Sequence, residues 1–138
     1  MIIVIRISGL VEVPKKIQET LFRMRLRRKY SAVLIKPTFQ NLAMLKKIRN
    51  FIAYGDISKE MLSALLEKRA ASVDGKKIDV EKVIEQLEKK DLESLGIKPF
   101  FRLHPPRKGI DSKLHFPIRK GVLGDNKGKI NDLVRRML

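Results

Sequence analysis

Three adjoining stretches decide the fold: "IIVIRI" (Ile2–Ile7), "PKKIQETLFRMRLRRKY" (Pro14–Tyr30) and "SAVLIK" (Ser31–Lys36). The first is β-branched apart from Arg6 and reads as a strand that ends at Gly9. In the second, Pro14 suits a first helical position. Ile17, Leu21 and Met24 then recur at helical spacing, with Phe22 widening the apolar stripe. The third is a second strand, closed by a turn at Pro37. Beyond it, Asn41 is placed to cap a helix whose inner face is Leu42, Leu45 and Ile48. "NFIAYGDI" supplies a short third strand through Phe51–Tyr54. Each strand needs a covered face and each helix is one-sided, so the expected class is α+β. The expected core is β-α-β-α-β, three strands with both helices on one face. Strand order and direction stay open at this point.

From Ser58 the pattern turns helical. Met61, Leu62, Leu65 and Leu66 form one apolar set, and "SVDGKKID" is a turn around Asp74-Gly75. Asp79 caps a helix that uses Val80, Val83, Ile84 and Leu87 and ends near Gly96. A last helix carries Ile130, Leu133, Val134 and Met137 inward, with Arg135 and Arg136 on its polar side. Between these lies a Pro- and Gly-rich arm with too many apolar residues, Phe100, Phe101 and Phe116 among them, to be a plain tail. Three parts are therefore expected: a core (1–57), a helical insert (58–96), and a basic arm or hairpin with the C-terminal helix (97–138).

The formal charge of +16 over 138 residues favours an anionic partner. Its distribution is more telling. Residues 1–55 carry 12 Lys/Arg against 2 Asp/Glu, residues 56–96 carry 8 against 10, and residues 97–138 carry 11 against 3. Two basic ends thus flank a balanced middle, which is expected to face solvent or a protein neighbour. Cysteine is absent, which excludes thiol catalysis and disulfides. Arg6 breaks the apolar N-terminal run too early for a signal peptide, and no stretch is long enough to span a bilayer, so a soluble cytoplasmic protein is expected.

No catalytic or metal constellation emerges. His104 and His115 are the only imidazoles, and a structural zinc site wants four Cys/His ligands. Ser112 and Asp111 lie near them in sequence, yet nothing frames a nucleophile. His104 is expected to brace the Pro105-Pro106 turn, and His115 to lie on a hairpin strand. "GVLGDNKGK" (Gly121–Lys129) lacks the order of a phosphate loop, though its glycines permit close backbone approach with Lys127 and Lys129 supplying charge. No cofactor is expected.

The basic runs carry the functional signal. "RMRLRRK" places Arg23, Arg25, Arg27, Arg28 and Lys29 within seven residues, and no acid stands between Glu19 and Asp56. Arg23 and Arg27 are expected on one helix face, with Arg28 and Lys29 at the helix end. Arginine's planar fork suits phosphate and stacks on bases. Lys15 and Lys16 open the same helix, and Lys46, Lys47 and Arg49 form a second helical patch. Along the arm, Arg102, His104, Arg107, Lys108, Lys113, Arg119 and Lys120 alternate with prolines and aromatics, a composition suited to RNA read by shape and phosphate placement.

In their order along the chain, "VIRISGLVEVPKKIQETLFRMRLRRKYSAVLIKP", "FFRLHPPRKGI" and "KGVLGDNKGKINDLVRRML" resemble the large-ribosomal-subunit protein family numbered thirty in bacteria and archaea, and seven in eukaryotes. The segment after Asp56 is similar to the longer archaeal form. The resemblance implies a three-stranded antiparallel sheet with the first strand central and two helices on one face. It also implies a structural role on large-subunit ribosomal RNA, as a monomer within the ribosome, without catalysis or membrane. Its extension would reach toward the small 5S RNA and neighbouring ribosomal proteins. On this chain the RNA-facing regions would be Lys15 and Lys16, Arg23 through Lys29, the "HPPRKG" turn, and the segment around Lys120, Lys127 and Lys129. A free-standing RNA-binding regulator on the same scaffold is the alternative reading, and an enzyme on an acidic substrate is disfavoured by the missing nucleophile and base.

Overall fold

A computed structural model describes residues 1–7, 13–69, 79–87, 97–107 and 123–138, together with the backbone alone of 112–115 and 121–122. Strand β1 (Ile2–Arg6) lies at the centre, antiparallel both to β2 (Ser31–Ile35) and to β3 (Ile52–Asp56). Val4 sits opposite Val33 on one side and Tyr54 on the other. All five β1 residues are buried. A run buried on both faces has no reason to alternate polar and apolar residues, which is why "IIVI" is continuous.

The two faces are filled by different elements. Ile2, Val4, Val33, Ile52 and Tyr54 meet Leu21 and Leu26 together with Leu45 and Ile48, from helix α1 (Lys15–Arg23), the loop after it, and helix α2 (Phe39–Ile48). Ile3, Ile5, Ile7, Ala32 and Ala53 point to the opposite face. There they meet Met61, Leu62, Leu65 and Leu66 of α3 (Lys59–Arg69), Val83 of α4 (Val80–Gln86), and the inner side of α5 (Ile130–Met137). The insert therefore covers the sheet's second face with its apolar side, a role that the expectation of an insert facing solvent or a neighbour did not include. Among the described residues its acids and lysines stay outside while its four α3 apolar residues turn in, each contributing roughly 1.5–3 kcal/mol.

The sheet is also wider than three strands. Its order is β4-β2-β1-β3-β6-β5, with β4 (Phe101–Arg102) antiparallel to β2 and β6 (Gly121–Asp125) parallel to β3. Strand β5 (Ser112–His115) runs parallel to β6, so the expected hairpin is corrected. The intervening sequence, Phe116–Lys120, has no Asn-Gly or similar dipeptide to dictate an antiparallel return. Phe101, fully buried, anchors the arm to β2.

Local signals also shift by a few residues. Pro14 is the N-cap of α1 and the helix opens at Lys15. Thr38, not Asn41, caps α2: its hydroxyl accepts from the Asn41 amide at 3.3 Å, while the Asn41 side chain donates to the Lys36 carbonyl. Leu42 and Phe39 are exposed, leaving Leu45 and Ile48 as the inner face. Asp79 caps α4 as expected, accepting from the Lys82 amide. Gly9, the Asp74-Gly75 turn and the helix end near Gly96 lie outside the described residues.

Candidate nucleic-acid interface

The residues after α1 do not continue the helix. Met24 is its C-cap, and Arg25 takes a positive φ of 66°. The Leu26 amide donates to the Leu21 carbonyl at 2.9 Å, and the Arg25 amide to that of Phe22 at 3.0 Å. That pair of bonds is the Schellman arrangement, with arginine at the left-handed position where glycine is usual. Leu26 folds back into the core beside Leu21. Arg23 and Arg27 therefore do not share a helix face. Arg25, Arg27, Arg28 and Lys29 ride instead on an exposed loop that returns the chain to β2.

Arg6 holds that loop from below. Its side chain is only 2% exposed and shares the β1 face of Ile2 and Val4. One guanidinium nitrogen donates to the Leu26 carbonyl at 2.7 Å, and the Arg6 carbonyl accepts from the Tyr30 amide, also at 2.7 Å. Burial lowers its pKa from the ordinary value, yet an arginine remains charged. A cation in this sheet face is tolerable because it is hydrogen-bonded; its side chain fixes the Leu26 end of the arginine loop and its backbone carbonyl the Tyr30 end.

Strand β4 brings the second half of the site. Arg102 stands opposite Ser31 in register, so both side chains project from the face that carries α1 and α2. Phe100, two residues before Arg102, projects the same way and packs half-buried against that core. Arg25, Arg27, Arg28, Ser31, Phe100 and Arg102 line one pocket of ≈ 210 Å³. The Arg102 guanidinium lies 5.7 Å from the Phe100 ring centroid. That of Arg27 lies 4.2 Å from Phe22, whose ring is 57% exposed rather than part of the buried stripe. Among the described residues no carboxylate pairs with Arg27, Arg28 or Arg102. The guanidinium groups of Arg27, Arg28 and Arg102 around one concavity make it attractive to an anion.

The other expected contacts are more dispersed. Lys15 and Lys16 are exposed on the first turn of α1, which has no acid there, and Arg23 is exposed at its end. Lys46, Lys47 and Arg49 are exposed at the end of α2 and do not line the pocket. Lys127 and Lys129 are exposed on the 3-10 turn before α5, beyond Gly124 with its φ of 84°. Arg107 is exposed, its amide bound to the Arg136 carbonyl at 3.0 Å. His104 is engaged within the protein. One ring nitrogen meets the Pro105 carbonyl at 2.7 Å and the other the Leu138 main-chain oxygen, so the ring braces the Pro-Pro turn and clasps the end of α5. Lys108, Arg119 and Lys120 lie outside the described residues, as do the side chains of Lys113 and His115. Sequence reasoning missed Arg6 and Ser31 as parts of the site and read Phe100 only as an anchor. The signal for Phe100 was its place next to Phe101, since neighbours on a strand face opposite ways.

Comparison with known proteins places the chain in a family. The family model described as ribosomal protein L30p/L7e matches residues 2–52, from β1 to the start of β3. The chain is 39% identical to large ribosomal subunit protein uL30 of Archaeoglobus fulgidus, with 99% of each chain aligned. It is 38% identical to that of Methanococcus maripaludis, over 98% of this chain and 97% of the relative. With the protein of the same name from Aeropyrum pernix, identity is 36% at the same coverage. The chain belongs to the L30p/L7e family. Its likeness to the archaeal uL30 proteins runs nearly end to end, so the segment after Asp56 and the basic arm belong to the shared plan. The expected antiparallel β-α-β-α-β core of an L30p/L7e protein, with a central first strand, is present, and the added strands and helices widen it.

Proposed function

We propose that the chain is a structural constituent of the large ribosomal subunit, held to its ribosomal RNA through the arginine loop after α1 and the adjoining β4 edge. The likeness to uL30 proteins along almost the whole chain carries this reading. The convergence of Arg25, Arg27, Arg28 and Arg102 supports it, because arginine forks bind phosphate oxygens in pairs. The role is one of binding and shaping RNA in the cytoplasmic particle, as a monomer and without catalysis. Lys15, Lys16, Lys46, Lys47, Arg49, Arg107, Lys127 and Lys129 extend the phosphate-contacting surface. The exposed Phe39 and Leu42 on α2 offer apolar contact to a neighbouring ribosomal protein, and the C-terminal arm is the part directed at 5S RNA. In this arrangement residues 1–57 are the RNA-binding core, 58–96 the insert that backs the sheet, and 97–138 the arm.

Gradient sedimentation of cell extract tests this. The protein is expected with large subunits at one copy per particle, and to remain there in moderate salt. Recovery as free protein, or far below one copy per subunit, would favour a free-standing regulator instead.

A further inference from the structure

We propose that the pocket between the arginine loop and β4 seats a single unpaired nucleotide of the ribosomal RNA, its base against Phe100 and its phosphate among the arginines. This inference rests on the ribosomal reading above and adds to it a recognition mode. Binding to duplex backbone alone requires cations on a surface, not an aromatic wall. Here one side of the concavity is the half-buried Phe100 ring with the Arg102 guanidinium beside it. Rings and guanidinium planes are the surfaces on which splayed bases stack.

The neighbouring residue sharpens the point. Phe101 is wholly buried and serves the opposite core, whereas Phe100 stays partly open toward the arginines. The remaining lining supplies what a nucleotide's other end needs. Arg25, Arg27 and Arg28 reach it from the loop, and Ser31, itself 5% exposed, adds a hydroxyl that can donate or accept. The volume of ≈ 210 Å³ lies below the roughly 300–1,000 Å³ typical of drug-sized ligand sites, so the concavity takes the base of a single nucleotide while its phosphate meets the exposed loop arginines at the rim. The pocket is also built in advance. Arg6 fixes the loop through Leu26, and the register of β4 on β2 sets Arg102 against Ser31, so little ordering is needed on binding.

Footprinting the full-length protein on large-subunit ribosomal RNA from its own source tests this. Hydroxyl radicals report the backbone, and base-specific reagents covering all four bases report unpaired nucleotides. Wild type is expected to protect one unpaired base inside its backbone footprint. Phe100→Leu, which keeps apolar bulk in the half-buried position, should re-expose that base and weaken affinity about tenfold. Phe100→Tyr, which keeps the ring, should retain protection and gives a second readout if the leucine variant is unstable. A backbone footprint with no base protection, or protection indifferent to Phe100→Leu, overturns the inference and leaves the ribosomal reading standing. The absence of any footprint would refute both.

Discussion

Gly55→Ala is expected to unfasten the C-terminal segment from the sheet. Gly55 lies in β3 directly beneath the turn that leads into α5. A Cβ built there would stand 2.3 Å from the Lys127 carbonyl oxygen and 2.9 Å from both Cβ and Cγ2 of Ile130. Ordinary contact begins near 3.4 Å, so the carbonyl must retreat by about 1.1 Å. That carbonyl is backbone, held by the neighbouring Asn126 and Asp125. The Asn126 amide donates to the Tyr54 carbonyl at 2.7 Å and the Lys127 amide to the Asp125 carboxylate at 2.9 Å. Ile130 is fully buried and cannot swing aside. Overpacking of this kind costs about 1–3 kcal/mol, and a backbone clash falls at the upper end, so about 3 kcal/mol is expected. Urea unfolding measures it: at an m-value of about 2 kcal/mol per molar, the midpoint should fall by about 1.5 M. Gly128→Ala is the matched control, because a Cβ there meets nothing within 4 Å, and its stability should stay within about 0.5 kcal/mol of wild type. A Gly55→Ala protein as stable as the Gly128→Ala one would refute the reasoning.

Three further outcomes follow from single contacts. Thr38→Ala removes the hydroxyl that caps α2 and should cost about 1 kcal/mol, lowering the melting temperature by about 3 °C, whereas Asn41→Ala, which keeps that cap, should cost less. Arg25→Gly relieves a left-handed arginine and should leave the protein as stable or slightly more so in a thermal melt, while weakening its affinity for ribosomal RNA; unchanged affinity would remove Arg25 from the interface. Tyr54 bears on alkaline stability. Burial raises its phenol above the ordinary 10.0, the Asp125 carboxylate raises it further, and Arg49 opposes both. The folded state thus prefers the neutral phenol, so its contribution is complete below pH 10 and is lost as pH rises through the higher folded value. Tyr54→Phe should make the melting temperature less sensitive to pH above 10.

The parts of the fold that repeat a period were legible in the sequence. The α5 set Ile130, Leu133, Val134 and Met137 is the buried set, as is the α3 set, because one-sided burial leaves a 3.6-residue trace. The end of α1 was not legible: Leu21, Met24 and the arginines keep helical spacing past Arg23, and no glycine marks the left-handed residue that ends the helix. The outer strands were equally hidden, since β4 is two residues long and is defined by its partner rather than by its own pattern. Of the site, the cations were visible as a run, but their convergence was not. It depends on Arg6 holding Leu26 from another strand and on β4 arriving from about 70 residues further along the chain.

Crosslinking the protein to RNA by ultraviolet light within native large subunits, and mapping the attached peptides, tests the central claim most directly. Nucleotides are expected on peptides spanning Arg25–Lys29 and Phe100–Arg102. Subunits that contain the chain but carry its crosslinks only on α3 and α4, with these two segments unmodified, would contradict it.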